Sequence, residues 1–129
     1  MDPAAEGIAY PPTTFVVQPD QVAAFREVFG QTEGVPPTFL TVPEFATFPQ
    51  ILDDPRLGLD FSRVLHGSQE YDYRRPIREG ETISVHARIE TIRHKGGNGF
   101  MTVVMEMVDG DGELVALARS TMIERGSDP

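Results

Sequence analysis

One stretch of this 129-residue chain gathers most of the side chains that could do chemistry. HGSQEYDYRRPIREGET, residues 66–82, places one histidine, four carboxylates, three arginines and two tyrosines within seventeen positions. His66 follows the apolar pair Val64 and Leu65 and precedes Gly67, whose missing Cβ lets backbone or ligand come close. A histidine so placed can serve as an acid or base, or orient a carbonyl. The plainer alternative is a structural histidine, hydrogen-bonded where a strand begins. Glu70 and Asp72 share one strand face and could form a carboxylate pair, but Arg74, Arg75 and Arg78 follow at once, so charge pairing competes with acid–base work. Glu44 is a further carboxylate, set in an apolar segment. It is a candidate acid on a helix, against the plainer reading of a solvated helix-face residue. His86 sits among polar neighbours and His94 in a turn, where solvated histidines are found. No nucleophile, metal cluster or catalytic triad assembles from local spacing.

The elements that must position these residues show in the apolar periodicity. The first twelve residues, with Pro3, Pro11 and Pro12, read as an arm, and TTFVV (13–17) as a short strand. PDQVAAFREVFG then predicts a short amphipathic helix, with Pro19 and Asp20 in its first turn and Gly30 as its stop. From Val42 to Asp53, polar Glu44, Thr47, Gln50 and Asp53 recur every third place on an otherwise apolar cylinder. That pattern predicts a largely buried helix, with Pro49 kinking or breaking it.

Beyond Arg63 the period changes to two. Ile83, Val85, Ala87 and Ile89 form one buried strand face, Met101, Val103, Met105 and Met107 the next, and Leu114, Ala116, Ala118 and Met122 the last. KGGNG (95–99) and DGDG (109–112) supply the residues that tight hairpins need. Neither is a ligand loop by its sequence, since the ladder of a calcium loop and the Lys-Ser/Thr of a phosphate loop are both absent. Four long antiparallel strands thus follow a helical first half, and the buried helix is the natural cover for their apolar face. Val104, Val108, Val115, Leu117 and Ile123 suggest a second apolar face or edge, and so a further subunit to cover it.

Composition narrows the function classes. Twenty acidic against eleven basic residues, with no basic run, argue against a nucleic-acid partner. No apolar run approaches the length that spans a bilayer, and MDPAAEGIAY lacks the order of a signal peptide, so a soluble cytoplasmic protein is expected. The absence of cysteine removes disulfides, thiolate metal sites and cysteine nucleophiles together. Neither a metal nor a cofactor is expected. The length suits a single domain over 1–129, with residues 1–12 as the arm and 126–129 as a flexible tail.

Taken in order, VPPTFL (35–40), HGSQEYDY, RPIREGET and DGELVALARSTMIER resemble the N-terminal, substrate-binding type of MaoC-like dehydratase domain, over roughly residues 13 to 125. The resemblance implies an α+β hot-dog fold, a curled antiparallel sheet wrapped around a central helix, as periodicity also suggests. It further implies a motif, D-x-N-P-x-H, through which the family's catalytic halves activate water. At the corresponding place this chain reads FGQTEGVPP (29–37), with no Asp and no His. The resemblance therefore points to a non-catalytic, substrate-accommodating subunit of a heteromeric (R)-specific enoyl-CoA hydratase or 3-hydroxyacyl thioester dehydratase. Its expected partner is a hot-dog subunit that carries the motif, in a dimer or tetramer. Acyl-CoA or acyl-carrier thioester is the expected ligand, with His66 and Gly67 near the ligand groove and Arg74, Arg75 and Arg78 steering phosphates or pairing with neighbouring carboxylates. The acidic balance favours coenzyme A thioesters over an acidic carrier protein. Two alternatives stand beside this reading. One is a self-sufficient homodimeric thioesterase or hydratase that uses His66 or Glu44; the other is an acyl-thioester binding module without catalysis.

Overall fold

The computed structural model describes residues 1–126; residues 127–129, most of the expected tail, lie outside the described residues. Strand β1 (Thr13–Val16) precedes helix α1 (Pro19–Phe29), and helix α2 (Thr41–Leu52) follows a 3-10 turn at Pro37–Leu40. Strands β2 (Val64–Tyr73), β3 (Thr82–Lys95), β4 (Asn98–Val108) and β5 (Leu114–Glu124) complete the chain. They form one antiparallel sheet in the order β1-β3-β4-β5-β2, which leaves β1 and β2 as its edges.

The alternating apolar residues of β3, β4 and β5 all turn to the same face. Ile83, Val85, Ile89, Met101, Met105, Met107, Ala116 and Ala118 are buried there in one cluster with Leu40, Phe48 and Ile51 from the α2 region. Leu40, Pro43, Glu44, Thr47, Phe48 and Ile51 are the buried positions of that region. Their spacing by three and four residues makes a helical stripe against the sheet.

The structure corrects the predicted orientation of α2. Glu44 and Thr47, expected on a polar stripe, face the core at 0% and 1% exposure, while apolar Phe45 is 51% exposed. Both inward polar groups have partners. Thr47 Oγ1 donates to the Pro43 carbonyl at 2.9 Å, and Glu44 meets donors from β2. Pro49 does not break the helix, which continues to Leu52. It lies on the exposed side in the last turn of the helix.

Two further expectations change. The N-terminal arm is docked: Ala5 and Tyr10 are buried, Ala9 bridges Arg88 on β3, and the Tyr10 hydroxyl donates to Asp54 at 2.9 Å. The outward face of β3–β5 is not an apolar patch. Val104 is buried between its ladder neighbours Arg88 and Arg119, Arg119 pairs with Glu90 at 3.0 Å, and Val115 belongs to the core cluster. The large exposed apolar side chains nearest to α2 and the free edge are Phe45, Phe61, Leu65 and Tyr73.

Candidate functional site

Alternation along β2 turns His66, Gln69, Tyr71 and Tyr73 toward α2, with the change of parity between His66 and Gln69 made by a β-bulge at Gly67. The centre of this α2–β2 face is a polar cluster. Gln69 Nε2 donates to Glu44 Oε2 at 2.8 Å, the Tyr71 hydroxyl donates to Glu44 Oε1 at 3.1 Å, and Ser120 Oγ donates to Gln69 Oε1 at 2.5 Å. Every donor in the chain points toward Glu44, the arrangement that an ionised, acceptor-only carboxylate requires. Burial nevertheless pushes the Glu44 carboxyl above its usual range, and the bonds from Gln69 and Tyr71 offset only part of that rise. The Tyr71 hydroxyl is raised as well, first by burial and then by the carboxylate beside it.

An apolar cleft opens at each end of this cluster. The first, of about 400 Å³, is walled by Val35, Pro36, Pro37, Leu40, Tyr73 and Ile77, and Arg74 and Arg75 stand on it. The second, of about 330 Å³, is walled by Phe45, Phe48, Leu52, Phe61, Val64 and Met122, with His66 in its lining. Because α2 runs antiparallel to β2 here, Leu40 lies near Tyr73 and Phe48 near Val64 and His66. Glu44, Gln69 and Tyr71 therefore stand between the two clefts.

The three arginines divide by environment. Arg75 is held between Glu81 and Asp109, 3.0 Å from the latter, which ties the β2–β3 connection to the β4–β5 hairpin. Its hydrogen bonds hold the Glu81 carboxyl below the usual range and help to lower Asp109, whose first cause is the backbone N–H of Glu113. Arg74 pairs with Asp72 at 3.1 Å, with both side chains more than half exposed. The Arg78 guanidinium makes no ion pair among the described residues and lines a shallower depression that shares Val35 and Ile77 with the first cleft.

His66 is exposed, with its ring 6.2 Å from Phe45 in an edge-on arrangement. Gly67 has a packing reason for lacking a side chain. A Cβ there would stand 2.7 Å from Ile123 Cδ1 and 3.3 Å from the Thr121 carbonyl oxygen. The structure thus brings Glu44 and His66 to the same face, keeps Arg74 and Arg78 at its rim and commits Arg75 to internal ion pairs. Residue type and spacing alone do not single out Gln69, Tyr71 or Ser120. The available signal was the period of two that sets Gln69 and Tyr71 on one side of β2.

The model of the FAS1-like dehydratase domain region matches residues 5–118. A UPF0336 protein of Streptomyces coelicolor is 32% identical over 99% of this chain and 97% of its own length. Another, of Saccharopolyspora erythraea, is 40% identical over 71% of this chain and 59% of its own length, so the match spans less than two thirds of that relative. Among solved structures, a MaoC-like dehydratase superposes with a TM-score of 0.82 at 19% identity, covering 97% of this chain and 43% of the other. The C-terminally truncated HadBC (3R-hydroxyacyl-ACP dehydratase) complex of Mycobacterium tuberculosis gives 0.74 at 20% identity, covering 92% of this chain and 96% of the other. These superpositions establish the hot-dog fold, here with an unclosed five-stranded sheet.

Proposed function

Because the chain belongs to the FAS1-like dehydratase domain region family and is of the MaoC-like type, we propose that it is the substrate-accommodating, non-catalytic subunit of a heteromeric (R)-specific enoyl-CoA hydratase or 3-hydroxyacyl thioester dehydratase. One observation carries this reading. The segment before α2, FGQTEGVPP (29–37), contributes Val35, Pro36 and Pro37 to the first cleft and contains neither an Asp nor a His. Addition of water to an enoyl thioester needs a base to take the water proton and an acid to protonate the α-carbon, both held within hydrogen-bond reach of the reacting atoms. An apolar cleft rimmed by arginines suits another task, which is to hold an acyl chain while Arg74 and Arg78 attract the phosphates of coenzyme A.

The catalytic groups then come from a second hot-dog subunit that carries D-x-N-P-x-H. Strand β2 offers it a free edge, flanked by exposed Phe45, Phe61 and Leu65. Pairing there would cover that apolar surface and build a dimer or a tetramer. The test is co-expression with a motif-bearing hot-dog chain from the same genome. Crotonyl-CoA hydration should be negligible with this chain alone and appear in the complex. Strong turnover by the isolated chain would overturn the proposal.

A second reading, a self-sufficient thioesterase, has one observation in its favour: Glu44 is a buried carboxylate on the central helix with His66 nearby. Both of its oxygens already accept hydrogen bonds, from Gln69 and Tyr71, so it is committed to those donors rather than to a water. Hydrolysis of acyl-CoA by the pure chain, abolished in Glu44→Ala or His66→Ala without unfolding, would favour this reading.

A further inference from the structure

We infer that Glu44, Gln69 and Tyr71 form a polar partition that sets the length of acyl chain this subunit accepts. The inference rests on the acyl-thioester reading above and names the specificity-determining residues of that same site. Three observations support it. The two apolar clefts lie in line along the α2–β2 face, one lined by Leu40 and Tyr73 and the other by Phe48, Val64 and His66. The residues between them in both elements are the bonded cluster, with Glu44 wholly buried and joined to β2 through Gln69 and Tyr71. The cluster is also braced from behind by Ser120 on β5, so Gln69 is not free to swing aside.

An acyl chain entering from the arginine-bearing cleft passes Leu40 and Tyr73 and, to continue toward Phe48, must open the bonded cluster, in which both Glu44 oxygens are occupied by donors. To go further, its methylenes would have to displace those donors and leave a buried carboxylate, an amide and a hydroxyl without partners. Desolvated polar groups strongly oppose that exchange. The chain therefore stops at the partition, and the Phe45–Phe61 cleft beyond it stays separate. Replacing all three residues by apolar groups of similar size removes the barrier and leaves the Ser120 hydroxyl as the one donor of the cluster that loses its acceptor, an exchange far milder than removing a single member from the centre of the cluster.

Titration of the full chain with hexanoyl-CoA and dodecanoyl-CoA in a calorimeter tests this. The wild type should bind the two with dissociation constants within about threefold of each other, because the extra methylenes find no new apolar wall. The triple variant Glu44→Met/Gln69→Leu/Tyr71→Phe should bind dodecanoyl-CoA about tenfold or more tightly than the wild type does, with hexanoyl-CoA little changed. Glu44→Gln, which keeps the partition polar, should keep the wild-type profile. Equal length profiles in the wild type and the triple variant would overturn the partition alone. Wild-type affinity that climbs steadily with chain length would also overturn it, whether or not the triple variant folds. If no acyl-CoA binds to either protein, the acyl-thioester reading itself fails and the partition with it.

Discussion

The Tyr71 hydroxyl reaches Glu44 Oε1 across 3.1 Å and joins edge strand β2 to the central helix through a carboxylate with no solvent exposure. That contact makes the cluster a structural tie as well as a wall. Glu44→Ala would leave Gln69 Nε2 and the Tyr71 hydroxyl facing an apolar void. Leaving buried donors unpaired costs about 1–3 kcal/mol, and this variant should lose stability in that range. Glu44→Gln keeps an acceptor for one of them and should lose less. Urea denaturation followed by far-ultraviolet circular dichroism reads both; equal stability of Glu44→Ala and the wild type would show that the contacts contribute nothing net.

The same carboxylate should leave a mark on the pH dependence of stability. Its folded-state affinity for a proton is raised above the ordinary glutamate value of 4.5 by burial, so between the unfolded and folded values the native state holds more of the proton. Stability from this group is then full below the ordinary value and falls as pH rises through the raised one. Glu81 and Glu90, lowered by Arg75 and Arg119, act in the opposite sense and lose their contribution as pH falls. Comparison of the wild type with Glu44→Gln isolates the first effect. The stability of the wild type relative to this variant should decline as pH rises above the ordinary glutamate value of 4.5. A difference that rises over that range would contradict the assigned direction.

Gly67 sits in the β2 bulge, and its place is set by the neighbouring strand. An added Cβ would meet Ile123 Cδ1 at 2.7 Å, closer than real contacts allow. Gly67→Ala should therefore destabilise modestly, by about 1 kcal/mol, because the end of Ile123 can turn aside while the Thr121 carbonyl, 3.3 Å away, must give slightly. Ile123→Val deletes the offending methyl group and should recover part of the loss in the double variant. A thermal-melt double-mutant cycle should then show a coupling above about 0.5 kcal/mol, and strict additivity would place the strain elsewhere.

The strands were legible in the sequence because each buries one face, and a period of two survives without knowledge of what lies opposite. Ile83 to Ile89 and Met101 to Met107 carry that signal by themselves. Helix α2 was legible as a buried element for the same reason, but its rotation was not. Its polar residues every third place mark a stripe, and a stripe points to solvent unless partners await it inside. Those partners, Gln69 and Tyr71, lie 25 and 27 residues further on, in a strand with no clean apolar side. The inward turn of Glu44 is thus a long-range fact, fixed by which strand becomes the edge beside the helix. The division of the arginines is in part long-range too: Arg75 pairs with Glu81, six residues on, and with Asp109, 34 residues away, whereas Arg74 pairs with its near neighbour Asp72.

That division yields a prediction about ligand binding. Arg74 is paired only with a solvent-exposed Asp72, and Arg78 has no ion-pair partner among the described residues, so both can turn to a phosphate at little internal cost. Arg75 cannot, because Glu81 and Asp109 already hold it from two sides. On the acyl-thioester reading, Arg74→Ala and Arg78→Ala should each weaken coenzyme A thioester binding by about three- to tenfold, the effect of losing one exposed charge-assisted contact. Their melting temperatures should stay near that of the wild type. Wild-type affinity should fall with added salt as surface charges are screened, and the double variant should show a flatter dependence. Arg75→Ala should behave in the reverse way, with a lower melting temperature and a deficit against the wild type that narrows as pH drops toward the carboxylate range, because the pairing that lowers Glu81 needs Arg75 and is the contribution that acid removes. Calorimetric titration with hexanoyl-CoA at two salt concentrations, paired with thermal melts, separates the two classes. Binding that is indifferent to both Arg74 and Arg78 would move the phosphate site away from this rim.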